Sequence, residues 1–173
     1  MPSTLVTRTY LELRSPNDLR PPATAPSGRV EFVKRDPCPI AHYRELYRAV
    51  GDQWFWRERN AWSDERLAEH LASSDISVWE LLAGGESAGY VELQRHSDGD
   101  VEIAYFGLRS RFIGRHLGGT MLTRAAQEAW AMPPSPPTRV WLHTCTLDSP
   151  HALPNYKARG FHEFKKEYYE VEL

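Results

Sequence analysis

Cysteine is nearly missing from this chain. Cys38 and Cys145 are the only two in 173 residues, too few for a disulfide framework, and a reducing compartment is the expectation. Long apolar runs are missing too. None approaches the roughly 20 residues that a membrane span requires, and the opening MPSTLVTRTYLELRSP has no apolar centre of a secretory signal. The expected location is therefore the cytoplasm, with no membrane partner. An excess of one charge is also lacking: Lys+Arg 21 against Asp+Glu 23 leaves −2. With no basic run either, a nucleic-acid partner is not expected. The seven histidines are scattered without the paired spacing of a zinc site, so no metal is expected. Neither a GKS/T phosphate loop nor a GxGxxG dinucleotide turn occurs, which excludes the common nucleotide folds.

What is present is a chain of one-domain length, rich in aromatics at 12% with six tryptophans, suited to a packed core or a lined pocket. One domain over residues 1–173 is expected. Its first forty residues read as a strand (4–13) and a proline-rich linker (16–28), of unassigned role. A short strand over 29–35 comes next, and Pro39 precedes a helix through about Val50, closed by Gly51. Ser63 caps a second helix through about Ser73. Strands over 76–83 and 88–94 flank Gly84-Gly85, a hairpin signal. After the turn Ser97-Asp98-Gly99-Asp100 come a strand, a long helix, and a connector holding Pro133, Pro134, Pro136 and Pro137. A strand over 140–146, a helix over 150–159 and a closing strand over 161–173 complete the pattern. Strands interleaved with helices indicate α/β layering, and the hairpins imply a mixed sheet.

The stretch EIAYFGLRSRFIGRHLGGTMLTRAAQEAW, residues 102–130, is the most informative. Val101, Ile103 and Tyr105 alternate with Glu102, Ala104 and Phe106, the period of a strand. Leu117, Met121, Ala125 and Ala129 then recur every fourth residue, the stripe of a helix that Leu122 and Trp130 widen. Gly114, Gly118 and Gly119 sit at the junction, where side chains would hinder close approach of a ligand. A strand, a glycine-bearing turn and a helix N-terminus together make a cradle of free N–H groups suited to phosphate.

This segment resembles the acetyl-CoA-binding core of the GNAT acyltransferase superfamily, and the order of elements is similar from about Ala41 to the C-terminus. The resemblance implies an α/β (α+β) fold with a mixed, mostly antiparallel sheet flanked by helices, its two parallel strands splayed at the acyl-CoA site. The family turn Gln/Arg-x-x-Gly-x-Gly/Ala aligns with Ile113, Gly114, Arg115, His116, Leu117 and Gly118. Ile113 stands in place of Gln/Arg, and His116 in place of the first glycine. The amides of the turn, through Gly119, would still hold the pyrophosphate of coenzyme A if His116 takes helical φ/ψ. Free backbone groups near Phe106, Leu108 and Ser110 would bind pantetheine, with Thr144 and Thr146 lining the same opening. Ser149 stands where the family often has asparagine.

The histone acetyltransferase branch places its catalytic glutamate at the position of Glu102, expected here on the strand face of Ala104, Phe106 and Leu108. The run LPNYKARGF resembles the family's closing helix, which makes Tyr156 the group that serves the departing thiolate. A phenol near pKa ~10 and a thiol near ~8.5 are matched well enough for that exchange. Acceptor specificity is expected from GDQWFWRERNAW, in which Trp54, Trp56, Arg57, Arg59 and Trp62 could form an aromatic–guanidinium pocket. Cys145 and His143 share a strand face, but a thiol between two strand threonines reads as core rather than as a nucleophile. The reading is an N-acetyltransferase moving acetyl from acetyl-CoA to a small-molecule primary amine. The alternative is an acyl-CoA-binding sensor or docking module without turnover. The oligomeric state is not set by the sequence, and a homodimer stays open.

Overall fold

The periodicities seen in the sequence become seven strands and four helices in a computed structural model describing residues 1–173. In chain order they are β1 (Ser3–Leu13), β2 (Val30–Lys34), α1 (Ile40–Gly51), α2 (Asp64–Ala72), β3 (Ile76–Ala83), β4 (Glu86–Arg95), β5 (Val101–Leu108), α3 (Leu117–Trp130), β6 (Val140–Cys145), α4 (Ala152–Ala158) and β7 (His162–Glu172). The strands form one sheet in the order β2-β3-β4-β5-β6-β1-β7. All neighbours are antiparallel except β5 and β6, whose connection runs through α3. Gly84 and Gly85, at φ 59 and 82, supply the two left-handed residues that the tight β3–β4 turn demands. The Ser63 side chain accepts from the Arg66 N–H and starts α2.

Two cores form, one on each face of the sheet. The larger lies under α3 and α4, where Met121, Leu122 and Ala125 meet Leu11, Leu13, Ile103, Val140 and Leu142. Opposite, α1 and α2 bring Tyr43, Leu46, Tyr47, Val50 and Leu67 onto Val78 and Tyr90, their main sheet contacts being with β3, β4 and β5. At Gly107 a Cβ would strike Val50 and touch Trp56, so this glycine lets α1 lie close on the strand.

The strict alternation read along β5 breaks in the structure. Tyr105 pairs with Glu92 and Ile103 with Leu93, which leaves Ala104 as the extra residue of a bulge. Val101, Ile103, Phe106 and Leu108 therefore face α3, while Glu102, Tyr105 and Gly107 face the α1 side. Glu102 does not share a face with Phe106 and Leu108, contrary to the sequence expectation.

The first forty residues are woven into this frame. β1 lies inside the sheet between β6 and β7. The proline-rich stretch after it packs Leu19 on the larger core, and the Arg20 N–H donates to the Arg159 carbonyl at 2.8 Å.

Candidate functional site

β5 and β6 pair at only two positions, Val101 with Val140 and Glu102 with Trp141. Beyond them the strands part, and the edge of β5 that faces β6 carries unpaired backbone groups. A cavity of about 580 Å³ fills the parting. It runs from the turn before α3 and the side of α4, through the gap, to Tyr47, residues 54–58 and Tyr105 on the opposite face.

The turn is built as a cradle. Residues 110–112 make a single 3-10 turn, Gly114 adopts φ 85, and α3 begins at Leu117. No side chain caps α3 and no acidic residue occupies its first turn, so its first amides are free and carry the positive end of the helix dipole. His116 is left-handed at φ 61 and ψ 24, not in the ordinary helical region, because the chain must reverse direction just before the helix. A glycine there would carry no Cβ strain.

Ile113, Gly114, His116, Leu117 and Gly118 line the cavity, as do Phe106, Leu108 and Ser149. At Gly118 an added Cβ would meet Asn155 Nδ2 at 3.5 Å and Leu108 Cδ1 at 3.9 Å, ordinary contacts that a longer, branched side chain would extend into the cradle. Three expected cradle residues lie off the cavity. Gly119 accommodates Arg159 and Pro22, Ser110 donates its hydroxyl to Gln53 Oε1 at 3.1 Å, and the Arg115 guanidinium lies over Phe112.

Tyr156, 6% exposed, lines the cavity from α4 and meets Phe106 edge-on with ring centres 5.9 Å apart. Burial, with the nearby Asp148 carboxylate adding to it, raises its phenol far above the usual value, so it is protonated at any working pH. Thr144 is buried and off the cavity wall. Its hydroxyl donates to Asp148 Oδ2 at 2.7 Å, and that oxygen also accepts the Cys145 N–H.

On the other face Trp54, Trp56 and Arg57 line the cavity as expected. Trp56 stands edge-on to Tyr105 at 5.0 Å. Arg59 and Trp62 do not belong to this wall. Arg59, 6% exposed, forms a fork of two hydrogen bonds to the fully buried Glu92, at 3.0 and 2.9 Å. Tyr43 and His70 also bind Glu92, and Trp62 covers the Arg59 guanidinium at 4.2 Å. Burial is the largest influence on Glu92 and favours protonation, yet His70, Arg59 and Tyr43 together hold its pKa below the usual range. This cluster pins residues 58–61 against the sheet and leaves residues 54–57 as the lip of the cavity.

Glu102, 9% exposed, is absent from the cavity wall. His96 Nε2 lies 2.9 Å from its Oε1, and His143 Nε2 lies 3.9 Å from its Oε2. The group that does reach the cavity is His143. Burial lowers its pKa from the ordinary 6.5 despite the opposing pull of Glu102, so it is neutral near pH 7 and able to accept a proton. His143, Arg8 and Tyr169 are among the wall residues that sequence reasoning missed. Arg8 and Tyr169 lie 161 positions apart, and no local pattern joins them. No group of three or more His, Cys, Asp or Glu side chains is arranged to hold a metal ion. No helix is long and apolar enough to cross a membrane.

A family model described as "Acetyltransferase (GNAT) family" matches residues 43–161. Among solved structures, the chain is similar to a GCN5-related N-acetyltransferase from Kribbella flavida, with a TM-score of 0.65 and 18% identity over 93% of this chain and 56% of the other. It is similar to a tandem GNAT protein from the clavulanic acid biosynthesis pathway, with a TM-score of 0.62, 15% identity, and coverage of 96% and 52%. An aminoglycoside acetyltransferase from an uncultured soil metagenomic sample gives a TM-score of 0.56 and 13% identity, with coverage of 76% and 86%. The chain thus spans little more than half the length of the first two. At these identities the likeness is one of fold. No curated protein matches the sequence.

Proposed function

The chain belongs to the acetyltransferase (GNAT) family, and from that premise we propose that it moves an acetyl group from acetyl-CoA to a primary amine of a small molecule, by direct attack in a ternary complex. The observation that carries this reading is the single cavity passing through the parted strands. An uncapped helix start and a buried tyrosine stand on one side of it, and an aromatic wall with a neutral histidine stands on the other. The amides of Gly118 and its neighbours would hold the pyrophosphate, and the free edge of β5 near Phe106 and Leu108 would pair with pantetheine. Fixing donor and acceptor in line supplies much of the rate in such a transfer. A small-molecule acceptor fits the enclosed aromatic lip, and the aminoglycoside enzyme named above uses a similar fold on a small molecule.

The step is balanced as follows. The neutral amine nitrogen bonds to the thioester carbonyl carbon, the C–S bond breaks, and its electron pair leaves on sulfur. The nitrogen gives up one proton to His143, which passes it to solvent, while the Tyr156 hydroxyl donates a hydrogen bond to the departing thiolate, which takes its proton from solvent. The products are an amide and free coenzyme A. Glu102 acts through His143, and its charge favours the transient imidazolium. It is a positioning residue in this scheme, one step removed from the base role that its sequence position suggested.

The test has two parts. Calorimetry of coenzyme A binding should show saturable binding that Gly118→Val weakens at least tenfold in a folded protein, and thiol release with an amine panel should show turnover. Failure of coenzyme A to bind the folded protein overturns the proposal. Binding without turnover on any amine leaves the non-catalytic acyl-CoA module instead.

A further inference from the structure

Arg8 is the feature of the cavity that acetyl transfer alone leaves unexplained. It projects from β1 on the acceptor face, opposite Cys145 of β6 and one strand away from the parting. Its guanidinium lies over the Tyr169 ring at 4.9 Å, and its Nη2 donates to the Tyr169 hydroxyl at 3.3 Å. The nearest carboxylate, Glu167, is 3.8 Å away, beyond hydrogen-bond reach. Its Nε is buried without any partner. Arg59 shares such an unpaired Nε, but Arg35, Arg59 and Arg139 each hold a carboxylate oxygen within 2.9 Å, which Arg8 does not. A buried N–H on a charged group is costly to leave unpaired, and a guanidinium is shaped to take a carboxylate with two parallel bonds.

The rest of the wall narrows the choice. Arg57 is a second cation of the lip. Of the two carboxylates present, Asp148 is engaged by Thr144 and the Cys145 N–H, which leaves Glu58, 3.5 Å from the Tyr105 hydroxyl. Asp148 keeps its charge, so the two guanidinium groups are balanced by two carboxylates, and the wall offers a polycation no excess of negative charge. The same wall carries Trp54, Phe55, Trp56 and Tyr105.

Resting on the acetyltransferase reading, we infer that the acceptor is an amino acid with a large apolar or aromatic side chain. Its carboxylate binds Arg8, its side chain lies on the tryptophan wall, and its amine faces the parting.

The experiment compares L-phenylalanine and L-tryptophan with 2-phenylethylamine, tryptamine and spermidine, using acetyl-CoA and thiol release. The amino acids should exceed their decarboxylated amines at least tenfold in kcat/KM, and spermidine should be the poorest acceptor. Arg8→Gln should bring the ratio close to one, and Arg8→Lys should restore part of it. Equal or better use of the decarboxylated amines or spermidine overturns the inference, as does a ratio that Arg8→Gln leaves intact. Should no acceptor turn over, calorimetry of L-phenylalanine and L-tryptophan against the coenzyme A complex decides, and absence of binding overturns the inference. Loss of coenzyme A binding itself would instead sink the acetyltransferase reading.

Discussion

Tyr156 is held by packing against Phe106 and Phe161, so its ring can be kept while its hydroxyl is removed. Tyr156→Phe should leave thermal stability within about 1 kcal/mol and lower kcat at least about tenfold. The defect should shrink with acyl donors whose thiol is more acidic, and an equal defect for all donors would remove its role at the thiolate. At His116, glycine relieves a left-handed Cβ at the cost of chain entropy, for a net gain of about 0.5 kcal/mol in urea titration. Coenzyme A affinity should hold if amides alone serve the phosphate. The place of Tyr156 beside the cavity was legible in the sequence because its neighbours LPNYKARGF carry a local motif. Glu102 was legible as a residue but not as a direction, because the bulge at Ala104 leaves no compositional mark. Arg8 could not be read at all, since only the placement of β1 beside β6 brings it to the cavity.

Elements with their own start and stop signals were legible nearly to the residue, including α2 behind Ser63 and the hairpin at Gly84-Gly85. The segment GDQWFWRERNAW was not. It folds as two short 3-10 turns, at 52–54 and 58–61, whose shape comes from contacts below them rather than from local preference. The main contact is Arg59 on Glu92. Glu92→Gln leaves a buried guanidinium without its counter-charge and should cost about 3–5 kcal/mol, read as a lowered urea midpoint at unchanged slope. A Glu92→Leu, Arg59→Met double variant should recover much of that loss. Loss of less than about 1 kcal/mol in the single variant would mean that the cluster is not what fastens this segment.

For the molecule as a whole, the folded pKa of His143 is lowered while that of the unfolded chain stays near about 6.5. The stability it contributes is therefore complete above that value and is lost as pH falls through the lower folded one. Arg8 opposes its protonation, while Glu102, Asp148 and Glu167 favour it. Glu92 and Asp100, also lowered, act later, with stability lost only as pH falls below the ordinary carboxylate range. Thermal midpoints from pH 8 to 4 should show that His143→Gln loses less stability than wild type as pH falls below about 6.5. Parallel curves would place the histidine in an environment no different from water.

The two-position seam between β5 and β6 also has a mechanical meaning. It divides the sheet into a four-stranded plate and a three-stranded plate, bridged at the parting chiefly by α3. Such a notched plate resists bending least at its notch, so amide exchange should be fastest, among the five interior strands, along residues 103–108 and 142–145. A pantetheine arm bonded along the free edge would close the notch as an eighth strand of non-protein origin. Its departure after each turnover would then be a momentary softening of the whole sheet.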